Sequence, residues 1–252
     1  MTTFKTLVGS YSIVAVNKFK PNELFLAKNK SPLYVSENEG DYLVASDPIC
    51  FVGVLISFLI LECIENFMPT WKIPIIVVKG LTSAIPVGLA LFSAIKLPDY
   101  FNIGFTSVLF TYFIGDILIR INFLAGVIAF FVANLLMSVV FLKIGKFSRL
   151  QLIIYLVALI IGLVILILFK ESLTTFFYPI LVYAFIVIFM MISSLGMQPM
   201  VRMGAIVFFV SDLLLGGGLA GFGNPVLSFI SLGLYYIAIC ILANTAYKRT
   251  FE

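Results

Sequence analysis

Eight apolar runs follow one another between residues 47 and 246, at about 47–67, 73–95, 103–121, 124–142, 150–169, 176–195, 202–219 and 226–246. Each is close to the roughly 20 apolar residues a helix needs to cross the hydrocarbon core. The runs are continuous rather than alternating, so they predict membrane-spanning helices and exclude a transmembrane barrel, whose strands alternate. Connections are short and are punctuated by Pro69, Pro98, Asn102, Asn122 and Pro225. The pattern predicts an all-α fold: a polytopic integral membrane protein with a bundle of about eight transmembrane helices over 47–247, none of them broken. Residues 248–252 form a tail.

The first 46 residues are patterned differently. Lys5, Lys18, Lys20, Lys28 and Lys30 stand beside Glu23, Glu37, Glu39 and Asp41. The stretch Thr6–Val16 is apolar but too short to span. The NKFKPNE that follows lacks the small-residue cleavage pattern of a signal peptide. Residues 1–46 are therefore expected to be an extramembrane or interfacial arm, one that can lie on the membrane surface.

Composition agrees with this reading. Of 252 residues, 62% are hydrophobic and 11% charged, where soluble domains carry about 25% charged residues; the mean hydropathy is +1.16. The net charge of +4 becomes informative once its placement is considered. With eight spans the termini share a face, which holds 12 Lys and Arg, while the other face holds Lys72, Arg120 and Lys170. The positive-inside rule places both termini, and so the 248–252 tail, in the cytosol. The charge is a topology signal and gives no reason to expect nucleic acid. The organelle is open between the endoplasmic reticulum and the plasma membrane.

There are no histidines, and Cys50, Cys63 and Cys240 lie far apart. Imidazole acid–base chemistry, Ser–His or Cys–His nucleophiles, haem and ordinary zinc sites are thereby excluded, and no metal or other cofactor is expected. Chemistry falls to carboxylates, lysine, tyrosine and water.

Against that background two acids stand out. Asp116, in SVLFTYFIGDILI, and Asp212, in GAIVFFVSDLLL, each follow a small residue and precede a run of Ile or Leu. A carboxylate in hydrocarbon costs about 2.5–3.5 kcal/mol on the insertion scale, so such a residue usually faces a cavity or a partner. The third and seventh spans run in the same direction, which puts both acids roughly 8–10 Å inside the boundary opposite the termini. Lys79 enters the second span at a similar depth, and Glu62 and Glu65 end the first span on that side. These groups are placed to close around one polar pocket. Structural alternatives exist for two of them: Asp116 can pair with Arg120 at i, i+4, and Lys79 can snorkel to the boundary.

Weaker candidates follow. Tyr235 and Tyr236 sit near mid-membrane, where a hydroxyl needs a polar partner. Asn134, in FFVANLLM, is an amide of the kind that joins helices or meets a substrate. GGGLAGFGNP, over 216–225, lacks the Lys and Ser/Thr of a phosphate loop and is a tight connection or a loop that admits a lipid headgroup.

FTYFIGDILI followed by FLAGVIAFFVANLLM resembles the paired helices of the YhhN-like family, the lysoplasmalogenases. RMGAIVFFVSDLLL is similar to that family's second signature and YYIAICILA to its closing helix, and Lys79-Gly80 stands where the family tends to carry Lys-Pro. The resemblance covers roughly 47–247. Two positions depart from the pattern: Asn134 stands where the family typically has His, and Ile239 where it tends to have Gln. The resemblance implies a metal-independent membrane hydrolase that cleaves the vinyl-ether bond of lysoplasmalogens to a fatty aldehyde and a glycerophospho-base. Asp116 and Asp212 would be its catalytic carboxyls, sharing proton donation and cation stabilisation as in glycosidases. Lys79, Asn134, Tyr235 and Tyr236 would be substrate-binding, and the partners would be a lysophospholipid substrate and membrane lipids. Two other uses of the pocket stay open: a non-catalytic lipid-binding or lipid-moving protein, and a proton-coupled transporter.

Overall fold

The structure, a computed structural model, describes residues 11–17, 20–29, 34–38, 41–45 and 49–250. It divides into one unit running to Ile49 and another spanning Cys50–Thr250. In the first, β1 (Tyr11–Asn17) pairs antiparallel with β2 (Lys20–Asn29), and β3 (Tyr34–Asn38) with β4 (Asp41–Ala45). Part of the apolar Thr6–Val16 stretch is thus a strand; residues 6–10 lie outside the described residues. The expected all-α architecture holds for the second unit, and the hairpins of the arm are an addition to it.

The second unit is built from α1 (Ile49–Phe67, whose first residue falls at the boundary), α2 (Lys72–Lys96), α3 (Tyr100–Ile121), α4 (Phe123–Ile144), α5 (Arg149–Leu168), α6 (Lys170–Leu173), α7 (Phe177–Ser194), α8 (Pro199–Gly217) and α9 (Pro225–Arg249). Among the described residues, eight helical segments are long and apolar enough to cross a membrane. The chain is an integral, multi-pass membrane protein.

Local sequence explains where the helices begin. Asp99 accepts from the Asn102 amide at 2.8 Å and caps α3, so Asn102 lies inside the first turn rather than ahead of it, and the helix starts earlier than its apolar run. Asn122 closes α3 and, accepting from the Ala125 amide at 3.1 Å, opens α4, which makes a one-residue connection. Ser148 and Gln151 form a reciprocal capping box on α5. Asn224 caps α9, with Pro225 at its first position.

The helices expected over 176–195 and 202–219 are continuous as α7 and α8, and each has an irregular turn at one end. The sixth span begins at Lys170 as the single turn α6, which passes through a 3-10 turn (Thr174–Phe176) before α7 starts. Thr174 takes a positive φ of 46°, a conformation a β-branched residue rarely adopts, and this interrupts the helix. The seventh span continues past α8 into a π-helical turn, Gly218–Phe222, inside which Gly221 takes φ 101°. Glycine is the residue that accepts that angle without strain.

Six helices close a ring in which α2 packs on α3, α3 on α4, α4 on α7, α7 on α8, α8 on α9 and α9 on α2, with α3 also reaching α9 across it. At its centre Tyr112 lies 4.9 Å from Phe208 and 6.4 Å, edge-on, from Tyr235, and Phe130 lies 5.8 Å from Tyr235 (ring centroids). α1 leans on the ring through Phe58, whose ring meets Phe229 and Tyr236 of α9. α5 lies outside, on α7, with Leu, Ile and Val exposed along most of its length. Lipid is as apolar as those side chains, so the face needs no protein cover.

Candidate functional site

A cavity of about 680 Å³ opens among the helices, lined from α1 to α5 and from α7 to α9, and Asp116, Asp212, Lys79 and Tyr235 all line it. Asp116 on α3 and Asp212 on α8 each stand five residues before the last residue of their helix. The shared depth expected from the sequence thus brings both carboxyls to one space.

The two carboxyls are held in different ways. Asp116 is 1% exposed. Its Oδ1 lies 3.5 Å from Lys79 Nζ, and its Oδ2 accepts from the Ser83 hydroxyl and, at 2.7 Å, from the Tyr235 hydroxyl. Lys79 and Ser83 are one turn apart on α2 and reach Asp116 together. Lysine forms an ion pair here instead of snorkelling, because a buried charge needs a partner more than it needs the boundary. Asp212 is half-buried, its exposed part facing the cavity. Its Oδ2 accepts from the Tyr183 hydroxyl at 2.8 Å, while its Oδ1 makes no hydrogen bond or ion pair among the described residues.

Tyr183 belongs to a longer chain of hydrogen bonds. Asn134 Nδ2 donates to the Tyr183 oxygen at 3.1 Å and to the Phe130 carbonyl at 3.0 Å, and Asn134 Oδ1 accepts from the Tyr112 hydroxyl at 2.8 Å. Asn134 is fully enclosed and ties α3, α4 and α7 together. Tyr236 is 2% exposed and packs against Phe58, one layer behind the cavity wall formed by Tyr235.

Arg120 pairs with Glu65 of α1 and not with Asp116. Glu62, Glu65, Asn66 and Arg120 form a polar edge to the cavity where α1 and α3 end. Ile165, Phe169, Ile180 and Val187 form an apolar wall on the α5 and α7 side, and the π-helical turn after α8 contributes Leu219 and Phe222. The cavity therefore offers charge at one edge and aliphatic surface along its length.

Ser83, Tyr112 and Tyr183 were not among the residues the sequence pointed to. Ser83 was detectable as the polar residue four positions after Lys79. Tyr183, a lone hydroxyl in LVYAFIVIF, meets the same criterion that drew attention to Tyr235 and Tyr236.

No curated protein and no solved structure matches this chain. A model of the YhhN family matches residues 74–246, from the first turn of α2 to the last turn of α9. That stretch contains both aspartates and every hydrogen-bonding partner named for them, and it exceeds half the chain: the protein belongs to the YhhN family.

Proposed function

We propose that this protein is a membrane-embedded hydrolase that cleaves the vinyl-ether bond of a lysoplasmalogen, giving a fatty aldehyde and a glycerophospho-base. The cavity carries the reading: carboxyls from α3 and α8 face one space with a charged edge and an aliphatic wall. A single-chain lipid has the same two parts, and pockets of this size hold such ligands. Family membership supports the reaction class.

The chemistry divides between the acids according to how each is held. Asp212, whose Oδ1 is unengaged, donates a proton to the β-carbon of the vinyl ether. The C=C electron pair takes that proton and leaves an oxocarbenium ion shared by the α-carbon and the ether oxygen. Asp116, kept in place by Lys79, Ser83 and Tyr235, stabilises the cation and accepts a proton from the water that adds to the α-carbon. The hemiacetal then breaks its C–O bond to the glycerol, whose oxygen takes the proton held by Asp116 while the hemiacetal hydroxyl gives its own to Asp212, so both carboxyls return to their starting states and one water has been consumed. Lys79 serves Asp116 in this scheme, which leaves the edge of the cavity to the headgroup. Arg120 meets the phosphate, and the carboxylate of Glu62, which has no ion-pair partner among the described residues, meets the ammonium.

A lipid-binding role without chemistry uses the same cavity. It is favoured by the saturation of Asp116, whose three partners also make it a structural lock between α2, α3 and α9. One experiment separates the two. Purified protein in detergent releases aldehyde from lysoplasmalogen but not from the 1-acyl lysophospholipid, and Asp212→Asn lowers the rate at least about 10²-fold while melting at or above the wild-type temperature. Wild-type protein that binds the lysolipid without turning it over would reject the hydrolase reading.

A further inference from the structure

The chain Tyr112–Asn134–Tyr183–Asp212 has a direction that its chemistry dictates. A backbone carbonyl only accepts, so the Phe130 oxygen fixes the nitrogen of the Asn134 side chain on its own side. The amide oxygen is thereby turned to Tyr112, whose hydroxyl must donate to it. The second amide proton goes to the Tyr183 oxygen, which leaves the Tyr183 proton for Asp212 Oδ2. Among the described residues, Tyr183 is the one donor bonded to this oxygen.

An amide neither takes nor releases a proton near neutral pH, so no proton passes through Asn134. The segment from Tyr112 to Asn134 sets orientation, and the Tyr183–Asp212 contact is its output. With Oδ2 engaged by Tyr183, the carboxyl of Asp212 presents Oδ1 as its free atom, and Asp212 lines the cavity.

We infer that Tyr183, with its hydroxyl aimed by Asn134, is a positioning residue that holds the Asp212 carboxyl with Oδ1 free for the cavity, and that Asp212 exchanges its proton with the cavity and not along the hydrogen-bonded chain. The catalytic consequence rests on the hydrolase reading above; the geometric one does not. Tyr183 lines the cavity wall beside Asp212, yet its oxygen is already occupied by Asn134 and its proton by Asp212, which suits it to hold a neighbour and not to react.

The test uses the full chain in detergent. The infrared band of the Asp212 carboxyl is identified by its loss in Asp212→Asn. It shifts in Tyr183→Phe, which keeps the ring and removes the donor, shifts in the same direction but less in Asn134→Leu, and moves least in Tyr112→Phe. Where aldehyde release is measurable, Tyr183→Phe lowers kcat about tenfold or more with KM little changed, since misplacing a catalytic group acts on the chemical step, and Tyr112→Phe costs clearly less. A Tyr112→Phe effect as large as that of Tyr183→Phe, in band position or in kcat, would mean that the chain conducts protons or acts through packing alone, and would overturn the inference. So would an Asp212 band that stays in place in Tyr183→Phe. Because the band is read without substrate, a protein that fails to hydrolyse lysoplasmalogen still answers the question about Tyr183.

Discussion

Lys79 and Asp116 bring opposite charges into the bundle, 7% and 1% exposed, where each is stable because the other is there. Removing one partner leaves an uncompensated buried charge, a loss of about 3–5 kcal/mol, whereas removing both can be close to neutral. Lys79→Met is therefore expected to lower the melting temperature of the purified protein sharply, and Lys79→Met with Asp116→Asn is expected to recover most of it. Additive losses in the thermal melts of the two single variants and the double variant would show that the pair is not coupled. Arg120 illustrates the limit of local spacing. It lies one turn from Asp116, yet its long side chain turns out to Glu65 on α1 while Asp116 turns in to Lys79 and Tyr235.

Helices in lipid associate through close packing more than through the hydrophobic effect, so small residues at their contacts matter. α3 and α4 are joined by Asn122 alone and must run side by side at once. A Cβ on Gly126 would lie 2.5 Å from the Cα of Ile119, a backbone atom that cannot move aside. Gly126→Ala should therefore cost about 1–3 kcal/mol, the usual range for overpacking. Gly216, near the end of α8, has nothing within 4 Å of a Cβ. Gly216→Ala should leave stability unchanged or raise it by about 0.4–1 kcal/mol through the unfolded chain. Thermal melts of the two variants check both signs, and equal shifts would contradict the packing argument. The same contact keeps Asp116 and Asn134 on facing helices, so Gly126 supports the candidate site from a distance.

For the molecule as a whole, the placement of charge predicts which way it lies in the membrane. Twelve Lys and Arg fall on the face that carries both termini, against Lys72, Arg120 and Lys170 on the other, and basic loops stay cytosolic. Epitope tags at either end should be protected in intact cells and become accessible on permeabilisation. A tag accessible from outside would reverse the orientation, and with it the side on which the polar edge of the cavity opens. If the orientation holds, Glu62, Glu65 and Arg120 face the non-cytosolic side, and a lysolipid reaches the aspartates from that leaflet.

The sequence alone determined the number of spans, their approximate limits and the two aspartates, because the cost of placing a residue in hydrocarbon depends on that residue and its immediate neighbours. It also placed Asp116 and Asp212 at one depth, since helix rise is constant. It missed the turn at Thr174 and the π-helical end of α8, where backbone geometry and not polarity interrupts the helix. Tertiary structure decided the rest: that α2 closes on α9, that Asp116 takes Lys79, Ser83 and Tyr235 while Asp212 takes Tyr183, and that Asn134 orients Tyr183. A soluble helix reveals its inner face by a polar stripe on the other side. These helices are apolar all round, so the sequence does not record their rotation, and rotation is what chooses the partner of each buried polar side chain.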